Sequence, residues 1–349
     1  MILLPLLVHF FVIDLIFISR HAIGVHIGRF LARGKWRSLT STASNFGFCY
    51  TTDVDIYWKH MNNVRITREM DFVLYGFLST TGLMYDVQKN IAGDSVFWKV
   101  ASNTRFRRPI QVFSTFDIKT KIVYWEKDSL YVEQQLITKD NFVRVVSVTK
   151  RGNAASPLGA HLFNTNEPNL AQLTNANYFI RIAFTILFGR VFQTKKKPTD
   201  QTAIYGFCTT QDVDIFVRHM NNARYVREMD FARFHFYDRT GLYESIVENK
   251  GNALQGACNI RYRRTIPIFT PYKVVTKLAG WDEKSIYLEQ HFVTLSDGFI
   301  RAVALSKQNI VGVNVNQMLK DYPKPQQTLD LTQWLQSIET SSERLRKDK

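Results

Sequence analysis

Two sets of residues capable of chemistry recur in this chain of 349 residues. The first is Asp55, His60, Asn62 and Glu69; the second is Asp214, His219, Asn221 and Glu228. Carboxylate and imidazole groups can take and return protons, and amides can hold the polar group of a ligand. The same residue types also cap helices and satisfy backbone groups, and both readings stand on sequence. Glu69 follows Asn62 by two helical turns and so lies on the same face, as Glu228 does relative to Asn221. A third element, Arg105-Phe106-Arg107-Arg108, returns as Arg261-Tyr262-Arg263-Arg264. Paired guanidiniums suit a phosphate. On a strand Arg105 and Arg107 share a face and Arg108 points away, so a solvated strand face is the other reading.

These sets recur because the chain contains one domain twice. Residues 46–72 and 205–231 align without a gap, and 18 of the 27 positions are identical. Downstream, Trp125 answers Trp281 and Tyr131-Val132-Glu133-Gln134 answers Tyr287-Leu288-Glu289-Gln290. A repeat this long is a duplicated domain, not a solenoid unit. In each copy, apolar residues after the His-Met-Asn-Asn run recur at helical spacing: Ile66, Met70, Val73 and Phe77, then Tyr225, Met229, Ala232 and Phe236. Asn62 and Asn221 are good helix-starting residues. The pattern then turns β-branched and alternating over 97–106, 115–125, 129–138 and 142–150. A short strand, one long helix and consecutive antiparallel strands describe an α+β fold with a sheet wrapped around a central helix.

Three cysteines exclude a disulfide framework and read as buried thiols. A formal charge of +15 requires an anionic partner or location. Much of it flanks apolar segments (Arg20, Arg29, Arg33, Lys35 and Arg37; Lys195-Lys196-Lys197), which favours an anionic membrane face over nucleic acid. Residues 1–20 read as a membrane anchor, with a cleaved secretory signal as the rival. The basic cluster after the anchor leaves the body of the chain cytoplasmic at an endoplasmic-reticulum-type membrane; the rival implies secretion. Residues 42–151 and 200–313 hold the two domains, and 314–349 a C-terminal helix and tail. The linker between the domains, 152–194, carries a second apolar run. There Asn177, Arg181, Thr185 and Gly189 form one narrow helical stripe, which fits either a helix in the membrane interface or one packed on the core.

Asp-x-Asp followed by His-x-Asn-Asn opening a helix, with a meander of strands behind it, resembles the hotdog-fold acyl-CoA thioesterases. The run His219-Met220-Asn221-Asn222-Ala223-Arg224-Tyr225 through Arg233, with Arg263-Arg264, Gly280-Trp281-Asp282 and Asp297-Gly298-Phe299, resembles the thioesterase-superfamily member six group. The resemblance implies two tandem hotdog domains forming an internal pseudo-dimer, with higher oligomers open. It implies binding of long-chain acyl-CoA or another acyl thioester, with coenzyme A entering only as part of the substrate and no resident cofactor or metal. By position, Asp55 and Asp214 become the carboxylates and His60 and His219 their polar partners. Asn62 and Asn221, with the helix start, become oxyanion donors, and Arg105, Arg107, Arg261 and Arg263 meet coenzyme A phosphates or lipid headgroups. Copy two, with Tyr225 where copy one has Ile66, is the expected seat of chemistry. Four residues separate each Asp from its His where the family tends to three, and Tyr57 or Phe216 replaces a polar residue. Hydrolysis and an inactive scaffold binding lipid or protein therefore both remain as readings.

Orientation is open to test. Protease added outside intact microsomes is expected to digest both domains; protection until detergent is added would indicate a lumenal or secreted chain.

Overall fold

The computed structural model describes residues 38–49, 60–83, 98–126, 129–152, 171–210, 212–213 and 219–347. The anchor 1–20 and residues 153–170 of the linker lie outside the described residues, as do Asp55 and Asp214.

Ten strands form one antiparallel sheet. In the first half these are β1 (Ala43–Phe48), β2 (Trp98–Phe106), β3 (Thr115–Glu126), β4 (Ser129–Thr138) and β5 (Val143–Gly152). The second half supplies β6 (Thr202–Phe207), β7 (Asn252–Tyr262), β8 (Pro271–Trp281), β9 (Ser285–Thr294) and β10 (Ile300–Val311). The order β1-β3-β4-β5-β2-β7-β10-β9-β8-β6 reads the same from either end once copies are exchanged. The halves join through β2 and β7, where Ala101 pairs with Arg261, Asn103 with Asn259 and Arg105 with Ala257. Asn103 and Asn259 occupy matching places in the two copies, so a pseudo-two-fold axis passes through their pair. Each half is a hotdog domain, and the seam makes them an internal pseudo-dimer.

Helix α1 (Asn63–Thr80) packs on the first half and α3 (Asn222–Thr240) on the second, while α2 (Ala171–Phe192) precedes the second half. The Asn62 side chain accepts from Val64 N at 2.8 Å and Asn221 accepts from Ala223 N at 2.8 Å, so both asparagines act as caps. The apolar stripe of α1 buries Ile66, Met70, Leu74 and Phe77. Beneath it β3 alternates, with Phe116, Ile118 and Thr120 inward. In β4, Gln134 is buried and donates to Met70 O at 2.7 Å; Gln290 of β9 repeats this to Met229 O at 3.0 Å. The repeated glutamine therefore ties each central helix to its sheet.

The short helix α4 (Leu242–Glu248) joins α3 to β7, and the short helix α5 (Val315–Met318) leads from β10 to α6 (Leu329–Lys347), which lies on the opposite face of the sheet. Cys258 packs in the core with α3, whereas its neighbour Ala257 packs with Leu331, Trp334 and Ile338 of α6. Trp334 Nε1 donates to Asn103 Oδ1 at 3.1 Å, Arg105 to Ile338 O at 3.2 Å and Arg344 to Glu133 at 2.9 Å. Helix α6 thus straps the second half to the first across the seam.

A chain cut to 195–349 bares the β7 edge, which pairs readily with any like strand. It is expected to self-associate in sedimentation, whereas the whole chain keeps that edge covered. A well-behaved monomer of the fragment would count against the seam as a required interaction.

Candidate functional site

The His-Met-Asn-Asn run is pinned in the same way in both copies. Met61 N donates to Ile110 O at 2.7 Å and Met220 N to Ile266 O at 2.8 Å. His60 bridges Gln111 and His219 bridges Pro267. The run therefore lies along the turn between the second and third strands of its own half and leads directly into the helix, its third residue being the cap. His219 is buried, with Nδ1 3.4 Å from Met220 O, while His60 is half-buried and faces a cavity of about 460 Å³. Arg108, Gln111, Phe113, Lys139 and Arg144 line that cavity with it.

The turn that holds each histidine contains a residue that sequence reasoning missed. Phe113 (φ 63°) and Phe269 (φ 60°) hold matching places, both in the left-handed region. A bulky side chain there costs on the order of 1–3 kcal/mol and persists only where its surroundings enforce it. Paired backbone bonds enforce it: Phe113 N to Cys49 O at 2.8 Å and Cys49 N to Ser114 O at 2.9 Å, repeated by Phe269 and Cys208. Both rings are turned outward, 64% and 55% exposed, beside Phe48 and Phe207. The only signal in the sequence was the matching phenylalanine itself.

The arginine element divides differently from a continuous strand. Strand β2 ends at Phe106, so Arg107 and Arg108 leave the sheet and converge. With Arg144 they surround the Phe142 ring at 4.7, 4.3 and 5.2 Å; Arg263, Arg264 and Arg301 surround Phe299 at 4.8, 4.4 and 5.3 Å. Arg144 is fixed by Asp140 at 2.5 Å and Arg301 by Asp297 at 2.6 Å. Arg105 is committed to the Ile338 carbonyl of α6, and Arg261 remains exposed on β7. The cationic group beside His60 is therefore Arg108, Lys139 and Arg144 rather than Arg105 with Arg107.

The carboxylates differ between copies. Glu228 is fully buried, 2.7 Å from Arg181 of α2 and 2.8 Å from Arg227. Arg227 also grips Asp212 at 2.5 Å. Burial raises the Asp212 pKa, but Arg227, then Arg224 and Arg181, outweigh it and hold the carboxyl at about 2. In copy one Glu69 is buried with Arg65 3.8 Å away. In copy two Glu228 is thus enclosed between Arg181 of α2 and Arg227 of α3. Tyr225 sits in the core against Tyr262 and Phe292, where burial pushes its hydroxyl pKa up.

A second charged group lies at the seam. Asp71 of α1 is 3.1 Å from Lys99 and 3.1 Å from Arg151, both buried. Its counterpart Asp230 pairs with Arg233 at 2.9 Å, and Arg233 donates to Gln255 Oε1 at 2.9 Å. Asn63, which opens α1, reaches the same Gln255 oxygen at 3.3 Å, so the start of the first helix touches the second half. The signal was visible: Glu-Met-Asp-Phe is identical in both copies at 69–72 and 228–231. Among the described residues no cluster of His, Cys, Asp or Glu could hold a metal. The three cysteines are buried and unbridged.

The family model of the thioesterase-like superfamily matches residues 49–154 and 208–336, one match per copy. A Drosophila melanogaster protein, THEM6, is 64% identical over 184 residues, covering 52% of this chain and 95% of its own length. THEM6 of Xenopus laevis is 34% identical over 180 residues, covering 50% of this chain and 86% of its own. Among solved structures, one assigned as an oleoyl thioesterase from Lactobacillus plantarum superposes with a TM-score of 0.54 at 10% identity, over 78% of this chain and 97% of that one. A 12:0-ACP thioesterase from Umbellularia californica gives 0.53 at 11% identity, over 77% and 94%. At such identities these two likenesses speak for the fold, and both span two halves.

The Asp212–Arg227 pair generates a test. A carboxyl held at about 2, against an ordinary value near ~3.9, contributes stability that is complete above pH ~4 and lost as pH falls toward 2. Asp212→Asn is expected to cost about 3 kcal/mol at pH 7 and to flatten the acid limb between pH ~4 and ~2. Urea unfolding at pH 7 and across that limb reads both effects; an unchanged limb would assign the acid sensitivity to other groups.

Proposed function

This chain belongs to the thioesterase-like superfamily, and on that premise we propose that it binds acyl thioesters of the coenzyme A type at a membrane surface. The observation that carries the reading is the cavity beside His60. Its volume of about 460 Å³ lies within the usual range for small-molecule sites. Arg108, Lys139 and Arg144 give it the charge to take a phosphorylated carrier, and the exposed Phe113 ring gives it an apolar wall. Long-chain acyl groups suit a chain whose first 20 residues anchor it to an endoplasmic-reticulum-type membrane with both domains in the cytoplasm.

Hydrolysis on this frame needs a water to attack the thioester carbonyl while a carboxylate takes its proton. The carbonyl oxygen gains negative charge, which an N–H group at the start of α1 would receive; the C–S bond then breaks, the proton taken by the carboxylate passes to the departing sulfur, and coenzyme A leaves as thiol with the acyl group as free acid. Asp55 and Asp214 are the carboxylates proposed for the proton. The capping asparagines spend their side-chain oxygens on the helix, so only the amide nitrogens of Asn62 and Asn221 can donate to the substrate. A second reading, a binding scaffold without turnover, is favoured by one observation: Glu228 is sealed between Arg181 and Arg227.

Purified chain incubated with long-chain acyl-CoA separates these readings. Binding is expected, and Arg108→Glu is expected to weaken it about tenfold, about 1.4 kcal/mol, because an exposed cation at the rim becomes an anion. Release of free coenzyme A thiol above background assigns the enzyme; binding without release assigns the scaffold. Unchanged binding in the Arg108 variant would remove the cavity from the proposal.

A further inference from the structure

Helix α2 is built inside out. Its polar and small stripe faces the protein: Arg181 reaches buried Glu228 at 2.7 Å, Ile182 packs on the core of the second half, and Gly189 is buried against α3. A Cβ at Gly189 would stand 2.9 Å from the His235 ring, so only glycine permits this approach. Arg239 donates to Gly189 O at 3.1 Å and to Gln193 O at 2.9 Å, and Arg190 grips Asp238 at 2.6 Å. The helix is thus fastened along its length to α3, and its orientation is fixed.

What it turns outward is apolar. Phe184, Leu187, Phe188, Val191 and Phe192 are 65%, 62%, 43%, 64% and 70% exposed. Their spacing, i, i+3, i+4, i+7 and i+8, places all five on one face. The rings stack along it, Phe184 to Phe188 at 6.0 Å and Phe188 to Phe192 at 4.6 Å. A contiguous exposed apolar face on a soluble fold marks a surface that binds something apolar. Directly past its end, Lys195, Lys196 and Lys197 are all exposed.

We propose that this face of α2 lies in the headgroup layer of an anionic lipid bilayer, with the three lysines on the lipid phosphates. An anionic bilayer offers apolar contact and partners for cations side by side, in the order in which α2 and the lysines present them. Two copies meeting through this face would bring like-charged lysine runs together, which opposes self-pairing. Among the described residues no helix is long and apolar enough to cross a membrane, and α2 is held along α3 by two ion pairs, so contact with lipid is along its side. The inference rests on the membrane location proposed above, but it gives the second half a contact of its own, independent of the N-terminal segment.

The test uses the full chain with a nitroxide at Phe188→Cys; the native cysteines are buried and leave the label at that position. A second preparation carries the label at Glu343→Cys on α6, across the sheet from α2. Each is mixed with vesicles of phosphatidylcholine with or without phosphatidylserine. In the anionic vesicles, the ratio of oxygen to aqueous-nickel accessibility is expected to rise several-fold at position 188 and stay aqueous at 343. Changing Lys195, Lys196 and Lys197 to Glu should abolish the rise. A chain that floats with the vesicles while position 188 stays wet overturns this proposal and leaves the N-terminal anchor standing; a chain that does neither overturns both. Dipolar broadening between labels at 188 without lipid would show a second copy on the face and overturn it as well.

Discussion

The structure depends on one pairing, the antiparallel contact between β2 and β7. A hotdog sheet ends in an open edge of unpaired N–H and C=O groups, and two such edges satisfy each other. Because Asn103 meets its own counterpart Asn259, the pairing sets a pseudo-two-fold axis that every other element obeys or breaks. The axis places α1 beside α3 on one face and leaves the other face for α6. It also brings Asn63, at the start of the first central helix, to Gln255 of the opposite half.

Both copies bury the carboxylate of the central helix, Glu69 beside Arg65 and Glu228 between Arg181 and Arg227. His60 faces a cationic cavity. At the seam, Lys99 and Gln255 occupy matching positions with different charge, so Asp71 is neutralised from β2 and β5 while Asp230 relies on Arg233 of its own helix. Buried charge of this kind is costly unless fully paired, and both aspartates are paired.

Much of this was legible in the sequence, and the limits have physical causes. Strands β3, β4 and β5 and helices α1 and α3 follow from period-two and period-3.6 patterns bounded by turn residues and asparagine caps. The seam follows from the duplication once the fold resembles one that pairs. The inward face of α2 does not: a stripe of Arg181, Thr185 and Gly189 divides the helix into two faces without saying which one is covered. Strand β2 stops at Phe106, one residue before alternation would have separated Arg107 from Arg108. Nothing in a phenylalanine announces the left-handed backbone of Phe113 and Phe269. Trp125 and Trp281 align letter for letter, yet the first is 63% exposed and the second 4%, packed in a cluster with Val315 and Leu319 of the C-terminal segment.

Carrying both halves in one polypeptide changes the statistics of their encounter. Two separate hotdog chains find each other by mass action and come apart on dilution; tethered halves meet at an effective concentration that no dilution alters. A substitution in a true homodimer also appears on both sides of the axis at once. Here Trp334 can lean on Asn103 while, among the described residues, no tryptophan bonds Asn259 in the same way. The tether therefore frees each half to drift alone, so that one can bring a lysine to the seam where the other has a glutamine.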